Sequence, residues 1–148
     1  MSRICQICTM LVPPGRNTCP TCGASSQNFS AAFLEFTAGT ALCRVREFPF
    51  LMTRDWVSRH FRTLEDGEGN PIYRYFYPDL PMVRVLPGDS GYRFLSDVPG
   101  DDQHNHARLD GQPLDHRGVI LGPRGGQLEI WARRNRTAVC RFDIRFIA

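Results

Sequence analysis

Cys140-Arg141-Phe142-Asp143-Ile144-Arg145-Phe146-Ile147 alternates apolar and charged side chains. Cys140, Phe142, Ile144 and Phe146 share one phase; Arg141, Asp143 and Arg145 share the other. A period of two describes a strand with one face in a core and one in water, whereas a helix advances about 100° per residue and loses that phase. The same signal recurs upstream. Ala41, Cys43 and Val45 alternate with Leu42, Arg44 and Arg46. Met82–Leu86 and Tyr92–Leu95 flank the turn-forming run Pro87-Gly88-Asp89-Ser90-Gly91, and Gly118–Leu121 and Gln127–Trp131 flank Gly122-Pro123-Arg124-Gly125-Gly126. Ile72-Tyr-Arg-Tyr-Phe-Tyr77 is aromatic and strand-prone. Short strands separated by Gly/Pro turns at a spacing of about 8–12 residues predict an all-β sandwich or barrel. The best helical segment is Arg54–Leu64, which is short. Cys43 is in phase with Val45 and Cys140 with Phe142, which predicts two core thiols; a disulfide between them is disfavoured in a reducing compartment.

Composition narrows the classes. The chain has 148 residues, 42% of them hydrophobic, so one domain with a small appendage is expected and disorder is not. All 18 basic residues are Arg, and the formal charge is +3, too small to argue for nucleic acid by itself. Apolar runs fall far short of the roughly 20 residues that cross a bilayer, and the N-terminus lacks the apolar stretch of a secretory signal. The expectation is a cytoplasmic protein with no membrane partner.

Four of the six cysteines form two pairs, Cys5-x2-Cys8 and Cys19-x2-Cys22. Each CxxC knuckle presents two thiolates on one side of a tight turn. Two facing knuckles make a closed tetrahedral site with no position left for water, the arrangement of a structural zinc. Met10–Gly15 reads as a short strand and a turn, with Pro14 and Gly15 at its centre. Gly23 follows the second pair where positive φ is needed. A redox-active CxxC would need a βαβ setting that this segment lacks. The piece has few apolar residues and is expected to fold only around one metal ion. The small polar segment Ala24–Ser30 is read as a linker. Domains are therefore expected at 1–28 and 31–148.

The stretch Cys5–Ala24 resembles the small bacterial zinc-ribbon family, departing from it at Thr9, where that family prefers Gly. A second resemblance lies in Val83–Asp97, His104–Leu114 and Gly118–Ile130. Their order is similar to the forkhead-associated (FHA) fold, with Asn105 on the family's first Asn, Gly111 on the Gly of its Asn-Gly turn and Gly126 on the Gly of its Gly-Asp. The resemblance implies an antiparallel sandwich whose loops at one end hold a phosphothreonine peptide. A Gly-Arg pair, a Ser-Arg-x-x-His motif and an Asn supply the contacts, because a phosphate calls for guanidinium and hydroxyl donors and an Asn amide fixes the peptide backbone. Carried onto this chain, Thr53-Arg54 stands for the Gly-Arg pair and Asn105 for the Asn, while His106-Ala107 replace Gly-Thr. The Ser-Arg-x-x-His motif has two placements. One puts it at Val57-Ser58-Arg59-His60, with Arg44 as the earlier Arg and a long insertion after it. The other puts it at Asp79-Leu80-Pro81-Met82, which cannot bind phosphate and implies a degenerate domain. The candidate phosphopeptide residues are Arg54, Ser58, Arg59 and Asn105.

Two other classes compete with this reading. Asp101-Asp102-Gln103-His104-Asn105-His106, with His116 nearby, has metal-ligand residue types but no metalloenzyme spacing, and reads as a polar surface loop. No nucleophile motif or phosphate loop is present. Arg133-Arg134-Asn135-Arg136 is a basic cluster of the kind that contacts nucleic acid, placed in a hairpin loop; basic residues interleaved with aromatics are not concentrated in one element. The expected function is a non-enzymatic interaction adaptor that recognises another protein, phosphorylated on threonine or unphosphorylated, with a zinc ribbon as second docking element. The alternative is a zinc-ribbon nucleic-acid-binding protein.

Overall fold

The computed structural model describes residues 3–31, 33–87, 91–121 and 124–147. The alternating C-terminal segment becomes the longest strand, β13 (Cys140–Ile147), with Cys140, Phe142 and Ile144 buried and Arg141, Asp143 and Arg145 exposed. It pairs on one side with β4 (Phe33–Ala38) and on the other with β12 (Gly126–Trp131). Around this centre lie β5 (Ala41–Val45), β9 (His106–Leu109) and β10 (Gln112–Pro113), giving a six-stranded antiparallel sheet in the order β10-β9-β12-β13-β4-β5. A second antiparallel sheet runs β11-β8-β7-β6, from β6 (Phe50–Met52), β7 (Val83–Pro87), β8 (Tyr92–Leu95) and β11 (Val119–Leu121). Their inner faces share one apolar cluster. Phe36 of one sheet meets Phe50 of the other at 5.5 Å between ring centroids, and Phe146 stacks on Tyr92 at 5.3 Å. The expected all-β fold is therefore present as a sandwich.

Turn chemistry sets two of the connections. Asp110 and Gly111 both have positive φ (50° and 85°), closing the β9–β10 hairpin with the two-residue turn that matches strand twist. At Gly125 (φ 81°) a Cβ would lie 2.1 Å from the Ile144 carbonyl oxygen, so only glycine admits β13 alongside. The turns expected at Pro87–Gly91 and Gly122–Gly126 lie partly outside the described residues. The Cys43 and Cys140 thiols are both free, Cys140 buried and Cys43 half-buried against the core, and burial raises both, Cys140 to about 12.

The helix α1 (Arg54–His60) is shorter than the expected Arg54–Leu64. Thr53 caps it, accepting the Trp56 N–H at 3.1 Å. Phe61 leaves the helix at φ −131° to pack edge-on against Phe142, which ends the run. Trp56 wedges between Phe36 and Phe50.

Two expectations are corrected. Ile72–Tyr77 is not a strand: Ile72–Tyr75 forms a 3-10 turn, with Arg74 N–H donating to the Pro71 carbonyl and Phe76 N–H to that of Tyr73. Its burial explains why, since Ile72 and Phe76, four apart, enter the core while the tyrosines between and after them lie half-exposed. Strand propensity was overridden by packing against α1. The segment Ala24–Ser30 is not a free linker. Ser26–Asn28 is a 3-10 turn, and β3 (Phe29–Ala31) pairs with β1 (Arg3–Cys5), which also pairs with β2 (Leu11–Val12). Only residue 32 separates β3 from β4. This small sheet has two buried faces. Ile4 and Leu11, partners across β1–β2, belong to the sandwich core, whereas Cys5 and Val12 join a separate cluster with Cys19. One apolar face on the sandwich is what fixes the segment in place.

Candidate functional site

The two CxxC knuckles are built alike. Cys5 N–H donates to the Met10 carbonyl and Thr9 N–H to that of Cys5; Cys19 N–H donates to the Ala24 carbonyl and Gly23 N–H to that of Cys19. Each chain reversal needs positive φ four residues after its first cysteine, met by Gly23 (79°) and by Thr9 (65°). The departure from the family's Gly therefore falls on the one knuckle position where a β-branched residue is strained.

The turns bring Cys5, Cys8, Cys19 and Cys22 together with all four Sγ atoms within 4.8 Å of one another. Cys5 to Cys22 is 3.6 Å and Cys8 to Cys19 is 3.5 Å. A tetrahedron with metal–sulfur bonds of about 2.3 Å has edges of about 3.8 Å, so the cage is close to the right size for one ion. The thiols share charge unequally. The backbone N–H groups of Cys8 and Ile7 hold Cys5 low. Burial pushes Cys19 up, but the Cys22 and Thr21 N–H groups outweigh it and bring the thiol down to about 6. Burial raises Cys8 to about 12; Cys22 accepts the Ala24 N–H yet is raised by burial and by its Cys5 neighbour. Each lowered sulfur lies beside a raised one, Cys5 with Cys22 and Cys19 with Cys8, and a metal ion binds all four as thiolates by displacing their protons.

The second candidate region lies among the loops at one end of the sandwich. Asn105 precedes β9 there and ties three segments together. Its Nδ2 donates to the Tyr75 carbonyl (3.1 Å), its Oδ1 accepts the Arg133 N–H (2.9 Å), and its own N–H donates to the Tyr77 hydroxyl (3.1 Å). Tyr75 in turn donates its hydroxyl to Asp66, which also accepts the N–H groups of Glu68 and Asn70 and the Asn70 side-chain amide. These donors hold the Asp66 carboxyl well below its ordinary range. Above this scaffold is a cavity of about 690 Å³, lined in part by Asp66, Glu68, Arg74, Asn105, Arg133 and Thr137.

Of the four expected phosphopeptide residues, Asn105 alone lines that cavity; Arg133 and Asn135 of the basic cluster line it too. Arg54 lies over the Tyr73 ring at 5.8 Å, Arg59 pairs with Asp55 across one exposed turn of α1, and Ser58 sits on the same helix. Asp79–Met82, the second placement of the Ser-Arg-x-x-His motif, leads directly into β7, and Asp79 and Leu80 line a smaller apolar cavity of about 310 Å³ with Tyr77, Pro78, Val98, Pro99 and His104. The sequence marked Arg133 only as part of the basic Arg133–Arg136 cluster and did not mark Arg74, because the two lie far apart in the chain and no spacing rule joins them.

The His-x-His loop does not assemble a metal site. His104 Nδ1 pairs with Asp101 at 2.7 Å, and buried His106 donates Nδ1–H to the His104 carbonyl and accepts the Arg108 Nε–H on Nε2. Arg108 lies 3.9 Å over the Trp131 ring. Among the described residues the four cysteines are the one group of His, Cys, Asp or Glu placed to hold an ion. Arg133–Arg136 fall in the β12–β13 loop, as expected. Comparisons with family models, curated proteins and solved structures find no match.

Proposed function

We propose that this chain is a non-enzymatic protein-interaction module, in which a structural zinc held by Cys5, Cys8, Cys19 and Cys22 braces an FHA-like sandwich. The loop end of that sandwich docks another protein, threonine-phosphorylated or unphosphorylated, in a cytoplasmic setting. The observation that carries the reading is the Asn105 scaffold: one side chain uses both its amide groups to lock two loops beside a concave surface, which preorganises a binding site. Zinc suits four thiolates in a closed tetrahedral cage, and closure leaves no position for a substrate or a water nucleophile. Calorimetric titration of the zinc-loaded protein with a degenerate phosphothreonine peptide library and its unphosphorylated counterpart tests the docking. Saturable binding of either, weakened about tenfold or more in Asn105→Ala, supports it; no binding of either overturns it.

Nucleic-acid binding is the second reading. Arg133, Arg134 and Arg136 are exposed and have no ion-pair partner among the described residues. It requires a single-stranded or duplex probe to bind with an affinity that falls steeply as salt rises.

A further inference from the structure

The six-stranded sheet ends on one side in β10 and on the other in β5. β10 is two residues long and includes Pro113, which has no N–H to offer. β5 is the longest edge strand among the described residues and contains no proline. The backbone groups on its open side have no backbone partner among the described residues, and such a row is a template for one more strand. β6 ends the second sheet, and residues of both edges line one groove of about 460 Å³ together with Trp56 of α1. Leu51, in the groove, is 46% exposed, and Leu42, on the outer face of β5, is 49% exposed. We infer that β5 takes up an extended segment of another protein as an added strand, and that this segment alternates acidic with apolar side chains. The groove shares no lining residue with the cavity at Asn105, so this surface is independent of the docking proposed there.

The pleat dictates the alternation. Side chains of an added strand fall in turn on the outer face, beside Leu42, Arg44 and Arg46, and over the groove, beside Cys43 and Phe50. The second set extends the sandwich core and is therefore apolar. The first set meets positive charge. Arg46 is exposed, lies 4.6 Å over the Phe33 ring and has no ion-pair partner among the described residues. Arg44 shares Glu35 with Arg145, so one carboxylate meets two guanidinium groups. Glu47 is the one carboxylate lining the groove, and it lies past the end of β5, outside its ladder. Asp143, on the same outer face, lies two strands in and accepts the Gln127 side-chain amide. Acidic side chains directly across from Arg44 and Arg46 would complete the pairs that β5 leaves open. A second copy of this chain suits the edge poorly: β5 carries no carboxylate, so pairing it with itself sets arginines against arginines.

The test titrates the zinc-loaded, full-length protein at low salt with a synthetic octapeptide that alternates Glu and Val, and separately with its Lys/Val counterpart. Amide NMR shifts and hydrogen exchange locate the binding. Saturable binding of the Glu/Val peptide is expected, with exchange at β5 amides slowed about tenfold or more, and the Lys/Val peptide should bind at least about tenfold more weakly. Arg46→Gln should weaken the Glu/Val peptide severalfold, and Arg46→Glu should reverse the preference between the two peptides. Arg93→Gln, exposed on β8 of the other sheet, should leave both affinities unchanged. Amide spectra of each variant report whether the fold is retained. Absence of saturable binding overturns the inference. So does equal binding of the two peptides, which would leave apolar contact alone, and so does protection that appears away from β5. A loss in Arg93→Gln equal to that in Arg46→Gln would reveal diffuse surface charge and overturns it too. Sedimentation of the protein alone covers the remaining occupant: a dimer that the peptide cannot enter gives the edge to a second copy and refutes the proposal.

Discussion

Thr9 holds positive φ in the first knuckle, where Gly23 serves the second. Thr9→Gly should relieve that strain and raise the stability of the metal-loaded protein by about 1 kcal/mol, read as a higher denaturation midpoint at unchanged slope. The gain is smaller than the full strain because glycine also frees the unfolded chain. Tyr92 makes the opposite kind of local compromise. It is fully buried between Phe48 and Phe146, and its hydroxyl has no partner among the described residues. Tyr92→Phe keeps the ring and removes the unmet donor, so thermal unfolding should show equal stability or a gain of about 1 kcal/mol. The Thr9 departure was legible in the sequence as a mismatch to the ribbon pattern. The Tyr92 hydroxyl was not, because alternation gives the face a residue takes but not whether its polar atom finds a partner.

Strands such as β13 and β5 were legible because one face meets the core and the other meets water, so polarity records orientation at every step. Ile72–Tyr77 was misleading for the same reason in reverse: tyrosine favours strands, but here Tyr73 lies under Arg54 of α1 while Tyr75 and Tyr77 hold loops through their hydroxyls. The β3 strand was hidden because Ala24–Ser30 is small and polar, and its pairing with β1 spans the whole cysteine loop. On the outer face of the six-stranded sheet, Glu35 is 2% exposed between Arg145 on β13 and Arg44 on β5, and these guanidinium groups hold its carboxyl below the ordinary value. A depressed folded value means that the carboxylate stabilises the fold above the unfolded value of about 4.3 and that this stability is lost as pH falls through the folded one. Unfolding midpoints measured from pH 7 down to pH 3 should fall, and Glu35→Gln should flatten part of that dependence.

Across the whole molecule, the metal cage and the sandwich are joined through one small sheet. Ile4 and Leu11 pack into the sandwich core while Cys5 and Val12 face the cage, so ordering the knuckles orders residues that the sandwich needs. The cysteine pattern made the cage legible at once. Its attachment was not legible, because the apolar residues that fasten it are single positions on two very short strands. The loop-end cavity was legible at Asn105 and in the Arg133–Arg136 cluster, each on its own; what brings them together with Arg74 is topology alone. The coupling between cage and sandwich also gives the account its most direct check. Both tryptophans, Trp56 and Trp131, lie in the sandwich and none lies in the cysteine segment, so their fluorescence reports the sandwich alone. Thermal unfolding of the full chain should be followed by this signal with one zinc bound per chain and again after chelation. The account predicts a single transition in the loaded protein that falls by about 10 °C or more when the metal is removed. A tryptophan transition that stays in place after zinc is lost, or a purified chain that binds none, would contradict it.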